Sequence, residues 1–104
     1  MNESGLAVSR SVIRDLVRLA AIEVPGVLRV GWARPLWRRI FAGRPISVRV
    51  RGGVVDARVV VIARPGQALG PLTADVGSAV AAAVERLLGL QLGQVTVRVD
   101  GIGG

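Results

Sequence analysis

The 104-residue chain contains no cysteine, histidine, lysine or tyrosine. Without cysteine it forms no disulfide and has no thiol nucleophile. Without histidine and lysine it lacks the commonest general base and the amine of Schiff-base enzymes, and the usual zinc ligands are missing as well. We therefore predict no catalytic, cofactor-binding or metal-binding residues, and a protein that is not an enzyme.

Carboxylates are few and scattered along the sequence. No two of those expected in folded regions are close together, which gives no indication of a carboxylate pair or a metal site. They are Asp15, Glu23, Asp56, Asp75, Glu85 and Asp100.

Long apolar runs and signal sequences are also missing. The longest uncharged, apolar-rich stretch runs from Val76 to Val84, whereas a transmembrane helix needs about 20 residues. The N-terminus has no basic start followed by an apolar run. We expect any membrane contact to be peripheral or to pass through a partner.

Positive charge is abundant and unevenly distributed. The net charge is +7. The segment from Val27 to Arg64 holds nine arginines against one acid, Asp56, whereas the rest of the chain has five arginines against six acids. This asymmetry predicts an acidic partner such as phosphate, a lipid headgroup or an acidic protein. A solvated basic surface without a partner is the alternative.

The aromatic residues are concentrated in one place. All three, Trp32, Trp37 and Phe41, lie within ten residues, in the segment 31–45 that we call the connector. Indole beside guanidinium suits a membrane interface, base stacking or a protein-binding surface. The predicted contact residues are Trp32, Arg34, Trp37, Arg38, Arg39, Phe41 and Arg44.

An amphipathic helix and a short strand are predicted before the connector. Ser9 or Ser11 can cap the helix, which should end near Glu23 because Pro25 and Gly26 follow. Val27 to Val30 then forms a strand. The apolar stripe of the helix is Val12, Ile13, Leu16, Val17 and Ala20.

A hairpin is predicted after the connector. Ile46 to Arg51 and Val54 to Ala63 flank Gly52-Gly53, which can supply the positive φ angles of a two-residue turn. With this turn Arg49 lies opposite Asp56 on one face. On the other face the pairs are Val50 with Val55, Val48 with Ala57 and Ile46 with Val59.

A second helix and a last strand complete the pattern. Gly70-Pro71 should open the helix with proline in its first position, and Gly89 should end it. Its predicted buried stripe is Leu69, Leu72, Val76, Val80, Ala83 and Leu87. Small residues elsewhere on this helix favour close packing within the chain, with a helix-mediated dimer as the alternative. Val95 to Val99 forms the last strand, and residues 101–104 should fray.

The predicted fold is α+β: one domain, 1–104, with a small mixed sheet of three to four strands and two helices on one face. The order is helix, strand, hairpin, helix, strand. The other sheet face should be largely uncovered and rich in arginine. It would carry Ser47, Arg49, Arg51, Asp56, Arg58, Thr96 and Arg98, of which the four arginines are candidate contacts for anions.

Pro35 to Ala42 in the connector predicts two turns of amphipathic helix, which need a surface to lie on. Three surfaces remain open. The helix could cover Val60 and Ile62 or a sheet edge as a lid, lie in an anionic membrane interface, or contact a protein or nucleic acid.

The ordered pattern resembles the bacterial alkaline shock protein family, also called the envelope stress response family. The resemblance lies in the helix exit Ala20-Ala21-Ile22-Glu23-Val24-Pro25-Gly26-Val27, the valine-rich hairpin, the break at Gly66, the spacing of Leu72, Val76, Val80 and Val84, then Gly89 and Val95-Thr96-Val97-Arg98-Val99. It covers most of the chain, and the Trp/Arg-rich connector departs from it.

The resemblance implies a non-enzymatic cytoplasmic protein associated with the inner face of the cell membrane. It implies a protein partner, often membrane-anchored, and self-association into a homo-oligomer. Direct contact with an anionic membrane surface remains open. The alternative function is a small basic nucleic-acid-binding module that uses the arginine-rich sheet face, with Arg49, Arg51, Arg58 and Arg98 tracking phosphates.

Overall fold

The computed structural model describes residues 9–33 and 43–103. The elements are α1 (Arg10–Ile22), β1 (Val27–Val30), β2 (Ile46–Arg51), β3 (Val54–Ala63), α2 (Leu69–Leu88) and β4 (Gln91–Ile102). Their order confirms the predicted α+β fold. The helix predicted at 35–42 lies outside the described residues. No helix in the two described ranges is long and apolar enough to cross a membrane.

The sheet is mixed and is built around β3. β1 and β2 pair with it in antiparallel orientation, and β4 pairs with it in parallel orientation along its whole length. Because β4 occupies one entire edge, β1 and β2 share the other. They meet at Val60, whose carbonyl oxygen accepts from the Gly31 N–H at 3.0 Å and whose N–H donates to the Pro45 carbonyl at 2.8 Å. The connector therefore leaves the sheet and rejoins it at the same residue.

The predicted hairpin register is confirmed in every pair, from Ile46 opposite Val59 to Arg49 opposite Asp56. Gly52 and Gly53 form the turn with φ angles of 56° and 80°, the conformation that side-chain-bearing residues rarely adopt. The side-chain contact differs from the backbone register, because Asp56 forms its ion pair with Arg51 at 3.6 Å.

Both helices pack on one face of the sheet. The core joins Val55, Ala57, Val59, Val61 and Ala63 of β3 to the buried residues of α1 and α2. These alternate residues share one face because successive strand side chains point to opposite sides. The residues between them therefore define the face away from the helices.

The first helix follows the prediction closely. Ser9 caps α1 by accepting the Val12 N–H at 3.3 Å, and Glu23 is its C-cap residue. The stripe is displaced slightly, since Val12 is 50% exposed and Leu16 half-buried, whereas Ala21 is buried.

The second helix begins earlier and buries a narrower stripe than predicted. It starts at Leu69, so Pro71 is its third residue rather than its first. Proline is tolerated there because the N–H groups of the first turn have no partner within the helix. Leu69 and Leu87, predicted to be buried, are 40% and 69% exposed, and Ala83 is half-buried. The buried residues follow a strict spacing of four: Leu72, Val76, Val80 and Val84.

The last strand is longer than predicted. It runs to Ile102, and the Gly103 N–H then donates to the Ala63 carbonyl at 2.9 Å. The expected fraying is therefore wrong for residues 101–103, because β3 extends far enough to pair with them. Register shifts in β4 next to Gly93 and Asp100 interrupt the ladder.

Candidate functional site

The sheet face away from the helices carries the arginines that the sequence placed there. Ser47, Arg49, Arg51, Arg58, Thr96 and Arg98 are exposed, and Asp56 is half-buried. Ser47, Arg58 and Thr96 lie directly beside one another on β2, β3 and β4. The position of these residues is as predicted, and a role for them in binding remains a prediction.

The four arginines of this face differ in their partners. Arg51 lies 3.6 Å from Asp56, and Arg98 lies 3.5 Å from Asp100. No carboxylate of residues 9–33 and 43–103 comes within 4.0 Å of the guanidinium of Arg49 or Arg58. Arg49 and Arg58 therefore present positive charge that no described acidic side chain balances.

Asp56 has a structural role on this face. Its Oδ1 accepts the backbone N–H of Gln94 at 2.9 Å, and its Oδ2 faces Arg51. The first contact holds the irregular part of β4 against β3, because it satisfies an N–H where the strand pairing shifts. Among the described residues, no three acidic side chains come together to hold a metal ion.

A shallow groove of about 500 Å³ lies over this part of the face. Three arginines line it: Arg49 and Arg58 from the sheet and Arg10 from the start of α1. The other residues that line it are Ser47, Val48, Asp56, Ala57, Gln94 and Thr96. The described lining contains no aromatic residue.

Two polar residues that line the groove, Arg10 and Gln94, were not predicted from the sequence. Arg10 belongs to a helix on the other face, yet it reaches a groove that opens beside the edge strand β2. Gln94 lies at a register shift, so the simple alternation of Val95, Val97 and Val99 does not reveal its position. Only tertiary packing brings these two residues to the site.

The ends of the connector are tied together beside the groove. The Trp32 indole N–H donates to the Gly43 carbonyl oxygen at 3.0 Å, and the Ala33 N–H donates to Asp100 Oδ2 at 2.9 Å. The guanidinium of Arg98 lies 5.8 Å from the centre of the Trp32 ring, within the range of a cation–π contact. We call these five residues, Trp32, Ala33, Gly43, Arg98 and Asp100, the neck.

At the neck, residues 31–33 cross over β3 from one edge of the sheet towards the other. Ala33 bonds to β4, although the connector starts from the opposite edge of β3. A Cβ built on Gly101 would lie 3.0 Å from the Ala33 Cβ and 3.8 Å from the Ile62 Cδ1. Residues 31–33 therefore pass over the sheet near Ile62, which is buried although it faces away from the helices.

The structure describes two of the predicted contact residues in the connector, Trp32 and Arg44. Trp32 is half-buried and Arg44 is exposed. The other predicted contact residues, Arg34, Trp37, Arg38, Arg39 and Phe41, lie outside the described residues. The choice between a lid and a contact surface remains open for that segment.

Comparison with solved structures shows where this fold recurs. A manganese form of MamM CTD is 18% identical, with a TM-score of 0.64 over 89% of this chain and 99% of that chain. A copper form of MamM CTD is 17% identical, with a TM-score of 0.65 over 88% and 85%. At these identities the likeness establishes the fold alone. Comparison with curated proteins gave no match.

The family comparison covers almost the whole sequence. A family described as having a cell envelope-related function matches residues 1–103. The match includes the helix exit, the hairpin and the last strand, the same features that carried the resemblance in the sequence. The chain belongs to the alkaline shock protein 23 family.

Proposed function

We propose that the protein is a non-enzymatic envelope stress-response protein that works by docking on an acidic partner at the inner face of the cell membrane. The observation that carries this proposal is the pair Arg49 and Arg58, exposed on the sheet face away from the helices without a described acidic neighbour. The cell envelope-related function of the family supports a location of this contact at the cell envelope.

The expected strength of the contact favours a partner over a bare membrane. A basic residue close to an anionic membrane contributes about 1 kcal/mol. Arg49, Arg51, Arg58 and Arg98 together would contribute roughly 4 kcal/mol, which corresponds to a dissociation constant of about 1 mM. A membrane-anchored protein partner or self-association would add affinity by making several contacts at once.

The connector has a part in this proposal. Its described ends meet at the neck, where Trp32 bonds to Gly43 and lies against Arg98. We propose that this segment extends the contact surface of the sheet face. Trp32 and Arg44 mark its described margins.

The proposal is tested by sedimentation with inside-out membrane vesicles from a bacterium that produces a protein of this family. Three preparations separate the candidates: intact vesicles, vesicles stripped by protease, and protein-free vesicles containing phosphatidylglycerol. Binding to intact vesicles that is lost after protease treatment supports a protein partner. Equal binding to all three supports direct lipid contact, and no binding at low salt contradicts the proposal.

Charge-reversed variants assign the binding to the sheet face. Arg49→Glu with Arg58→Glu should release the protein from intact vesicles. Arg18→Glu with Arg86→Glu changes the net charge equally at exposed positions on the helices and should leave binding within about twofold, since screening limits distant charges. Equal loss in both variants would contradict a specific role for this face.

The alternative function, nucleic-acid binding, has a distinct outcome in the same experiment. RNA would compete with the vesicles, and its own binding would fall steeply with salt and with the loss of Arg49 and Arg58.

A further inference from the structure

We propose that the groove centred on Arg58 is a binding site for a phosphate group. This inference deepens the proposed function, on which it rests for its membrane setting, because it names the chemistry that the acidic partner presents. The phosphate could belong to a lipid headgroup or to a free phosphate compound, and the test below separates these sources.

Hydrogen-bond donors converge on one point of the sheet. Arg58 lies on β3 with Ser47 beside it on β2 and Thr96 beside it on β4. Directly paired side chains on adjacent strands are about 5 Å apart, and diagonal neighbours about 7 to 8 Å. Arg49 is the diagonal neighbour of Arg58 on the same face. The two hydroxyls lie on opposite sides of Arg58, about 10 Å apart. One phosphate can therefore contact both guanidinium groups and one hydroxyl, and a diphosphate can reach both hydroxyls.

Arg10 closes the groove from another element. It is the first residue of α1, it is exposed, and it lines the same groove as Arg49 and Arg58. Three guanidinium groups from three separate elements thus surround the site. Among the described residues that line the groove, Asp56 is the only one with a carboxylate.

The carboxylate of Asp56 repels an anionic ligand less strongly than a carboxylate without partners would. Its Oδ1 already accepts the Gln94 N–H, and its Oδ2 faces the guanidinium of Arg51. Both oxygens thus have positively polarised partners within the protein. The three arginines of the groove, Arg10, Arg49 and Arg58, have no described carboxylate within 4.0 Å and dominate its charge.

The balance of donors and acceptors favours phosphate over carboxylate. A carboxylate has two oxygens, which the fork of a single arginine can satisfy. Phosphate offers more acceptor oxygens and matches a site that combines several guanidinium forks with two hydroxyls. The groove supplies such a set of donors in Arg10, Arg49, Arg58, Ser47 and Thr96.

The lining argues against recognition of a base or an acyl chain. Val48 and Ala57 are the only apolar residues in the described lining, and both pack towards the core on the helix side. They leave no apolar wall in the groove, and no described aromatic residue is present for stacking. The phosphate itself is the recognised group.

Nuclear magnetic resonance provides the test. The full chain is titrated at low salt with inorganic phosphate and with pyrophosphate, and the amide signals of Ser47, Arg58 and Thr96 are followed. Saturable shifts centred on these residues are expected. Shifts that rise without saturation, or that are equal at arginines on the helices, would overturn the proposal.

Matched variants distinguish a specific binding site from nonspecific attraction to positive charge. Arg49→Gln with Arg58→Gln should weaken pyrophosphate binding at least about tenfold, since two charge-assisted hydrogen bonds are lost. Arg18→Gln with Arg86→Gln removes the same charge from the helices and should change affinity less than about twofold. Equal losses in the two variants would overturn the proposal.

A neutral variant tests the hydroxyls. Ser47→Ala with Thr96→Val keeps every charge and should weaken binding about threefold or more, because two donors are removed. Unchanged binding would overturn the assignment of these residues. The amide spectrum of each variant shows that it remains folded.

Vesicles of phosphatidylcholine with and without phosphatidic acid identify the source of the phosphate. Competition between these vesicles and pyrophosphate assigns the site to a headgroup, whereas pyrophosphate binding without vesicle binding assigns it to a free compound. If Arg49 and Arg58 are needed for binding to intact membranes but neither phosphate probe binds, the phosphate site is wrong and the proposed function stands.

Discussion

The indole N–H of Trp32 donates a hydrogen bond to the carbonyl oxygen of Gly43 at 3.0 Å. The two residues are eleven positions apart, and together with the bonds of Val60 to Gly31 and Pro45 they join the ends of the connector. These bonds fix the described ends of the connector, residues 31–33 and 43–45, on the sheet beside Arg98.

Replacing Trp32 should loosen the neck. Trp32→Phe keeps an aromatic ring over Arg98 but removes the N–H donor, which should lower the free energy of unfolding by about 0.5 to 1.5 kcal/mol. Trp32→Ala also removes the cation–π contact and the half-buried ring and should cost at least about 1 kcal/mol more. Urea denaturation followed by circular dichroism measures both.

A double-mutant cycle provides the control for the ring contact. Arg98→Gln combined with Trp32→Ala should cost less than the sum of the two single changes, since the pair interacts at 5.8 Å. Strict additivity would contradict the contact between them.

Asp100 should hold Ala33 in place. Its Oδ2 accepts the Ala33 N–H at 2.9 Å, and its side chain is only 16% exposed. Asp100→Ala removes that acceptor and should cost about 1 to 2 kcal/mol. Asp100→Asn keeps an acceptor and loses the ion pair with the largely exposed Arg98, which should cost less than about 1 kcal/mol.

Hydrogen exchange gives a local measurement of the same effect. The Ala33 amide should exchange faster in Asp100→Ala than in the natural protein, and Asp100→Asn should lie between them. Equal protection of this amide in all three proteins would show that the hydrogen bond contributes nothing.

The hairpin illustrates what the sequence predicts well. Its register follows from strict alternation, two glycines at the turn and an opposite-charge pair, all of which are local and agree with one another. The helix caps at Ser9 and Gly89 are local in the same way. The arginines on the face away from the helices follow directly from that register.

The neck and the groove could not be predicted in this way. Asp100 bonds to Ala33, 67 positions away, and Arg10 reaches the groove beside Arg58 only because α1 packs beside β2. The extra length of β4 likewise depends on its pairing with β3, which outweighs the weak strand preference of Gly93 and Gly101. These features depend on contacts between distant parts of the chain, on which local patterns carry no information.

Gly93 should be required where β4 departs from regular pairing. A Cβ at this position would lie 2.5 Å from Asp56 Oδ1 and 2.8 Å from Val54 Cγ1. Neither neighbour moves easily, because Asp56 is held by Gln94 and Arg51, and valine is stiff at χ1. Gly93→Ala should therefore lower stability by about 1 to 3 kcal/mol.

Gly77 provides the matched control, since it lies in the middle of α2 and a Cβ added there would make only an ordinary van der Waals contact, 3.9 Å from Val95 Cγ1. Gly77→Ala should raise stability by about 0.4 to 1 kcal/mol, because alanine restricts the unfolded chain and favours helix. Thermal unfolding of both variants measures the difference. A loss in Gly77→Ala comparable to that in Gly93→Ala would contradict the steric explanation.

The stripe of α2 gives a final prediction. Val84 is completely buried, whereas Leu87, almost one turn further along, is 69% exposed. A helix with another layer on only one side buries a narrow stripe, and positions 84 and 87 differ by about 300° around its axis.

Val84→Ala should cost roughly 1 to 3 kcal/mol, because it removes buried methyl groups and leaves a cavity. Leu87→Ala should change stability by less than about 0.5 kcal/mol. Chemical denaturation measures the stability of both variants. A larger loss for Leu87→Ala than for Val84→Ala would mean that Leu87 is covered in solution, as a helix-mediated dimer would require. The loss would then depend on protein concentration.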